Sequence, residues 1–166
     1  ISQSLDSTLM DYTVVKGRVI SNNYTSLRNY ITINKGYKDS IKQDMGVITS
    51  LGILGIIENT SANYATVQSI LNEKSNINAK IKNSNHFGSL IWNGEDYNTV
   101  QLADIPRLVQ LSMGDTIVTG AMSSIFPENI PIGTISKFDL DRSKSFYSID
   151  VKLFNDMTNI NRVYII

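Results

Sequence analysis

The sequence predicts an all-β protein, with two small β-barrel subdomains preceded by the end of an N-terminal helix. Three observations carry this reading. Apolar and β-branched residues alternate with polar ones in many short runs divided by turn residues. A glycine-bearing hairpin pattern occurs twice, and helical periodicity is confined to the first ten residues. Many short, regularly punctuated strands are the mark of a sandwich or barrel.

Taken in order, Leu5, Leu9 and Met10 stand at helical spacing among Ser and Asp, as at the frayed end of a helix that begins upstream. From Tyr12 the period changes to two. YTVVKGRVI is β-branched and apolar, and NYITINKG alternates Ile31 and Ile33 against Tyr30, Thr32 and Asn34. MGVIT, LGIIEN, ATVQSI, NINAKI, FGSLIW, NTVQLA, DTIVTG, IPIGTIS, FYSIDVKL and NRVYII continue the pattern. Asn22-Asn23, Lys35-Gly36, Asn93-Gly94, Asn129 and Asn159 separate the runs. The expected division is a first barrel over residues 13–72 and a second over 73–166, with terminal strands free to cross between them.

The division rests on an internal repeat. IKQDMGVITSLGILGIIE, residues 41–58, is echoed by VQLSMGDTIVTGAMSSIFPENIPIGTIS, residues 109–136. Met45-Gly46 matches Met113-Gly114, Thr49 matches Thr119, Gly52 matches Gly120 and Gly55 matches Gly133, with about eight residues inserted in the second copy. Order and spacing favour two related β units.

Composition narrows the function. The 166 residues are 42% hydrophobic, enough for a packed core, and carry fifteen acids against fifteen bases. Zero net charge argues against nucleic-acid binding and against a polybasic membrane surface, although a local patch is compatible with it. No cysteine is present, which excludes disulfides and thiolate metal sites. The longest apolar run, around Gly46 to Ile57, is too interrupted to span a bilayer. The chain opens on Ile1 rather than Met and shows no signal peptide. It is expected to be a processed fragment with any anchor removed.

At this point the residues resemble a family. ITINKGYKDSIKQDMGVIT followed by GILGIIENTSANYATVQSIL is similar to the periplasmic β region of the MreC family of rod shape-determining proteins. Met113-Gly114-Asp115, the Phe126-Pro127 turn and Ile132-Gly133 look like that family's later strands, as does the ending FYSIDVKLFNDMTNINRVYII. The likeness runs from about Val15 to Ile166. Two departures stand out: the family pattern has glycine where Ser40 and Asp44 stand here.

The resemblance implies a non-enzymatic scaffold of the cell-elongation complex that maintains rod shape and takes no cofactor. It would bind and activate a class B penicillin-binding transpeptidase, touch MreD and other rod-complex members, and self-associate. It would be periplasmic, held to the inner membrane only by an upstream anchor, with residues 1–11 the end of a coiled-coil helix. The alternative is a periplasmic adaptor of the membrane-fusion type, which also joins coiled coil to β-barrel.

Catalytic readings fare poorly on the residues themselves. His86, then Asp104 or Asp115, then Ser123 or Ser124 follow the chymotrypsin chain order. All of them fall in one expected barrel, whereas that triad spans two. GAMSSI lacks the glycine context that presents a serine and its oxyanion amides. A single His without Cys leaves only carboxylates for a metal, and DLDRSKS, residues 139–145, lacks the glycine and closing Glu of a calcium loop. It reads as a hairpin loop.

Two structural expectations complete the reading. Gly36, Gly46, Gly55, Gly114 and Gly133 are expected at turns, bends or crowded backbone. In the loop GAMSSIFPENIPIGTIS, residues 120–136, Ile125, Phe126, Pro127 and Ile130 form an apolar ridge. It either plugs the end of its own barrel or is offered to a partner.

Overall fold

The structure, a computed structural model, describes residues 9–140 and 145–166. Twelve strands account for the regular structure of the described residues. They are β1 Val15–Asn22, β2 Arg28–Ile33, β3 Gly46–Ile48, β4 Ile53–Thr60, β5 Ala65–Asn72 and β6 Ile77–Ile81. The rest are β7 Phe87–Ile91, β8 Thr99–Ala103, β9 Thr116–Thr119, β10 Pro131–Asp139, β11 Ser148–Leu153 and β12 Arg162–Ile165. A single 3-10 turn spans Tyr37–Asp39. The expected helix end over 1–11 falls mostly outside the described residues, and Leu9 to Asp11 form a turn. Residues 141–144 of the expected 139–145 hairpin loop also lie outside them.

The strands close into two six-stranded antiparallel barrels, ordered β1-β12-β3-β4-β5-β2 and β10-β11-β8-β7-β6-β9. Alternation supplies each core. In β2, Ile31 and Ile33 are buried, and in β6, Ile77, Ala79 and Ile81. The expected span of the second barrel, 73–166 with terminal strands free to cross, is corrected at its end. β12 returns to pair with β1 and β3 and closes the first barrel.

The two barrels are the same structure to the level of register. Val47 pairs with Gly55 in the first and Ile117 with Gly133 in the second. One step along, each ladder slips by a β-bulge, at Ile48↔Ile53 and at Val118↔Pro131. The β4–β5 bulge after Ile57↔Val67 recurs in β10–β11 after Ile135↔Val151. β12 of the first barrel takes the place of β6 in the second. Ala79↔Gly88 repeats the pair Val163↔Gly17.

This register corrects the sequence alignment of the repeat. The Met-Gly dipeptides are not equivalent; they are two residues out of step. Gly114 N donates to Ile135 O and Ile135 N to Asp115 O, as Asp44 N donates to Ile57 O and Ile57 N to Met45 O. Asp44 therefore corresponds to Gly114, and Gly52 to Ile130. Thr49 and Thr119 are equivalent, as are Gly55 and Gly133.

Both departures from the family pattern fall on left-handed backbone, and at the position equivalent to Asp44 the second barrel has a glycine. Asp44 has φ 69° and Ser40 φ 67°, both left-handed, and Gly114 has φ 84°. The expected glycines are missing where the backbone favours them. Asp44→Gly is expected to raise stability by about 0.5–1 kcal/mol, relief of the left-handed penalty outweighing the looser unfolded chain. A thermal melt checks it; a lower midpoint would show that the Asp44 side chain contributes more than its strain costs.

The remaining glycines on the expected turn set separate by position. Gly36 opens the 3-10 turn, where a Cβ would sit 2.1 Å from Ser61 O. Gly46, Gly55 and Gly133 are not turn residues. They lie in β3, β4 and β10, and what they provide is space for a neighbour.

Candidate functional site: the junction between the barrels

Equivalent loops of the two barrels meet each other. The β3–β4 turn of the first packs on the β9–β10 loop of the second, with Gly52 so close that a Cβ would lie 2.4 Å from Pro131 O. The β1–β2 loop meets the β7–β8 loop. Tyr24 and Tyr97 stack edge to face with centroids 5.7 Å apart, and Leu27 covers Gly94. Such a pair adds about 0.5–1.5 kcal/mol beyond its buried area. Trp92 anchors the second loop, 6% exposed with Nε1 donating to Asp96 O at 3.0 Å.

The β9–β10 loop, residues 120–130, is held from several sides. Gly120 N donates to Asn78 O and Met122 N to Asn78 Oδ1. Ser123 Oγ accepts from the amides of Ile125 and Phe126. Thr119 Oγ1 donates to Pro127 O and accepts from Ile130 N, which braces the eight-residue insertion at its base. These bonds satisfy a buried polar loop and fix where Phe126 goes.

Phe126 is 3% exposed and lies on Gly46 of the first barrel, where a Cβ would be 2.7 Å from its ring carbon Cε1. The apolar ridge is therefore not a surface. Phe126, Pro127 and Ile130 are buried, and only Ile125 is half-exposed. Nor is the ring merely a stopper for its own barrel, since it wedges between the two. Sequence reasoning missed Gly46 as its seat because the two residues lie eighty positions apart.

A second rivet comes from the β11–β12 connection. Buried Asn155 accepts from Thr49 Oγ1 and donates through Nδ2 to Gly52 O and Ile53 O, all on the first barrel. Its neighbour Phe154 donates from its amide to Ile132 O of the second. Asn22 Nδ2 donates to the carbonyl of fully buried Met157. At the exposed bend beyond Asn155, the Thr158 hydroxyl and then its amide hold the Asp156 carboxyl below its usual range. This geometry shapes a turn.

The triad candidates are not brought together. His86 is exposed on the β6–β7 turn, the Ser123 hydroxyl is engaged by loop amides, and an Asp115 carboxylate oxygen accepts from Ser112 N. Among the described residues no hydrogen bond joins His86 to either aspartate or either serine. No helix among the described residues is long and apolar enough to cross a membrane.

Beside the wedge, the junction leaves a small depression of about 180 Å³, lined on its apolar side by Ile56, Ile77, Met122, Ile125 and Phe126. Met122 is 69% exposed and stands at its rim.

Comparison with known proteins places this architecture. The family model for the rod shape-determining protein MreC, barrel core, matches residues 19–166. The cell shape-determining protein MreC of Listeria monocytogenes is 33% identical over the whole of this chain and 58% of its own length. A Listeria monocytogenes MreC structure superposes with a TM-score of 0.85 at 30% identity, covering 98% of this chain and 82% of that one. An MreC from Helicobacter pylori, solved in complex with the penicillin-binding protein PBP2, shares the fold at 12% identity and a TM-score of 0.65, with 92% and 98% covered. The chain spans 58% of the length of the MreC proteins of Listeria monocytogenes and Bacillus subtilis. With the family model running from β1 to the last residue, the chain belongs to the MreC family of rod shape-determining proteins.

Proposed function

We propose that the chain is a periplasmic, non-enzymatic scaffold of the cell-elongation complex that binds and activates a class B penicillin-binding transpeptidase through the inter-barrel depression. One observation of this chain carries the reading: two barrels locked by a wedge and a buried hydrogen-bonded bridge present a fixed depression, one wall apolar and the other lined by Asn76, Asn78, Ser123 and Ser124, with exposed Met122 at its edge. A preformed surface loses little entropy on binding. Supporting it, the Helicobacter pylori relative forms a complex with its own penicillin-binding protein. MreD, other rod-complex members and a second copy of the chain are further partners in this reading, and an upstream segment supplies the membrane anchor. Family membership leaves the membrane-fusion adaptor without support.

The test is direct binding of the transpeptidase by calorimetry, with Ile125→Glu as the probing variant. Half-exposed Ile125 should tolerate the change in fold, while affinity drops by about tenfold or more, the scale of a central interface contact. Unchanged affinity with an intact melt would move the contact elsewhere. Failure of the unaltered chain to bind at all would end the scaffold reading for this domain.

A further inference from the structure

The outer face of β1 and β12 carries a basic pocket that barrel closure does not require. Lys16 and Arg18 of β1 and Arg162 of β12 are exposed, with half-buried Tyr164 beside them. The register sets Arg18 directly opposite Arg162 and Lys16 opposite Tyr164. Lys35, just past β2, joins the same lining. With Asn34, these residues line a hollow of about 340 Å³ whose wall holds four cations and no carboxylate. The ion pairs of the described residues involve Arg28, Lys80 and Lys137, and none of these four. Like charges directly opposite across an antiparallel pair cost stability.

The second barrel serves as an internal control. By register, Arg18 and Arg162 correspond to the pair Ser89 and Asn78, and Lys16 to Phe87. One residue past its β8, Asp104 stands where Lys35 stands past Asn34. The same strands in the same register close a barrel there with a single cation, Lys80 at the place of Tyr164, and that one is paired with Glu128. On a chain of zero net charge, the clustering in the first barrel is local.

We propose that this pocket binds a phosphate group, carried on an ester or as the free ion. Two neighbouring guanidinium forks match the oxygens of a tetrahedral anion, and Lys16 and Lys35 add point charge around it. Binding would also relieve the Arg18–Arg162 repulsion, so the pocket is less stable empty than filled.

The experiment follows backbone amide shifts of the 166-residue chain during titration with inorganic phosphate, glycerol phosphate and, as carboxylate control, glutarate. Vesicles of phosphatidylglycerol or phosphatidylcholine are tested in parallel by flotation. Saturable shifts at Gly17, Arg18, Asn34 and Arg162 are expected with both phosphate probes and not with glutarate. Capture by phosphatidylglycerol vesicles alone assigns the source to a lipid headgroup; glycerol phosphate binding without capture assigns it to a soluble ester. Arg18→Gln and Arg162→Gln should each weaken phosphate binding about tenfold while raising the melting temperature, and Lys35→Gln should weaken it with the fold intact. Absence of saturable shifts with either phosphate probe, glutarate binding as tightly, or arginine variants that bind like the parent would overturn the proposal.

Discussion

Phe126→Ala is expected to lower stability by about 3–5 kcal/mol, the scale of emptying a buried aromatic site. The ring is one of the few side chains that belongs to both barrels at once, and its removal leaves a void facing Gly46 that neither barrel can collapse to fill. Urea denaturation reads the loss. Gly46→Ala should be costly too, because its new carbon would sit 2.7 Å from the ring, inside any allowed contact. The two changes share one space, so the double variant should fall well short of the sum of the singles. A loss below about 1 kcal/mol for Phe126→Ala would mean that the barrels are held chiefly by Asn155 and the Tyr24–Tyr97 contact.

Gly133→Val should cost about 3 kcal/mol or more, and Gly133→Ala nearly as much. The obstacle is not size but the first carbon, which would meet Lys152 O at 2.1 Å. That oxygen belongs to the backbone of β11, so relief requires breaking the β10–β11 ladder rather than rotating a side chain. Gly55 is the equivalent position, 2.2 Å from Gln68 O, and Gly55→Val should behave alike. Gly114→Ala is the contrast. Its φ is 84° but nothing lies within 4 Å, so only the left-handed backbone is charged, about 1–2 kcal/mol. Equal melting temperatures for Gly133→Val and the parent would remove the crowding argument.

What the sequence carried was local. Alternation in stretches such as NYITINKG and NINAKI is a property of neighbouring residues, and it located strands that the structure contains. Gly55 and Gly133 were legible as special because glycine between aliphatics weakens a strand unless space demands it. Register was not legible. The repeated Met-Gly looked like the anchor of the alignment, yet hydrogen bonding pairs Asp44 with Gly114, because backbone conformation rather than residue identity is what the two turns share. The fate of Phe126 was beyond sequence for a related reason: a loop phenylalanine has the same neighbours in the chain whether it ends up exposed or seated on a distant glycine. The basic pocket escaped for the same cause, since Arg18, Lys35 and Arg162 are scattered along a chain whose total charge is zero.

The return of β12 to the first barrel also sets an order of events in synthesis. Domains usually fold as they emerge, the earlier one first. Here residues 15–72 leave the ribosome with β1 and β3 each lacking a neighbour, and residues 73–161 must follow before the missing strand exists. The second barrel, contiguous over β6 to β11, has all its members sooner. The unit made first is thus completed last. Until then it displays two open strand edges, the kind of template on which nascent chains pair with each other.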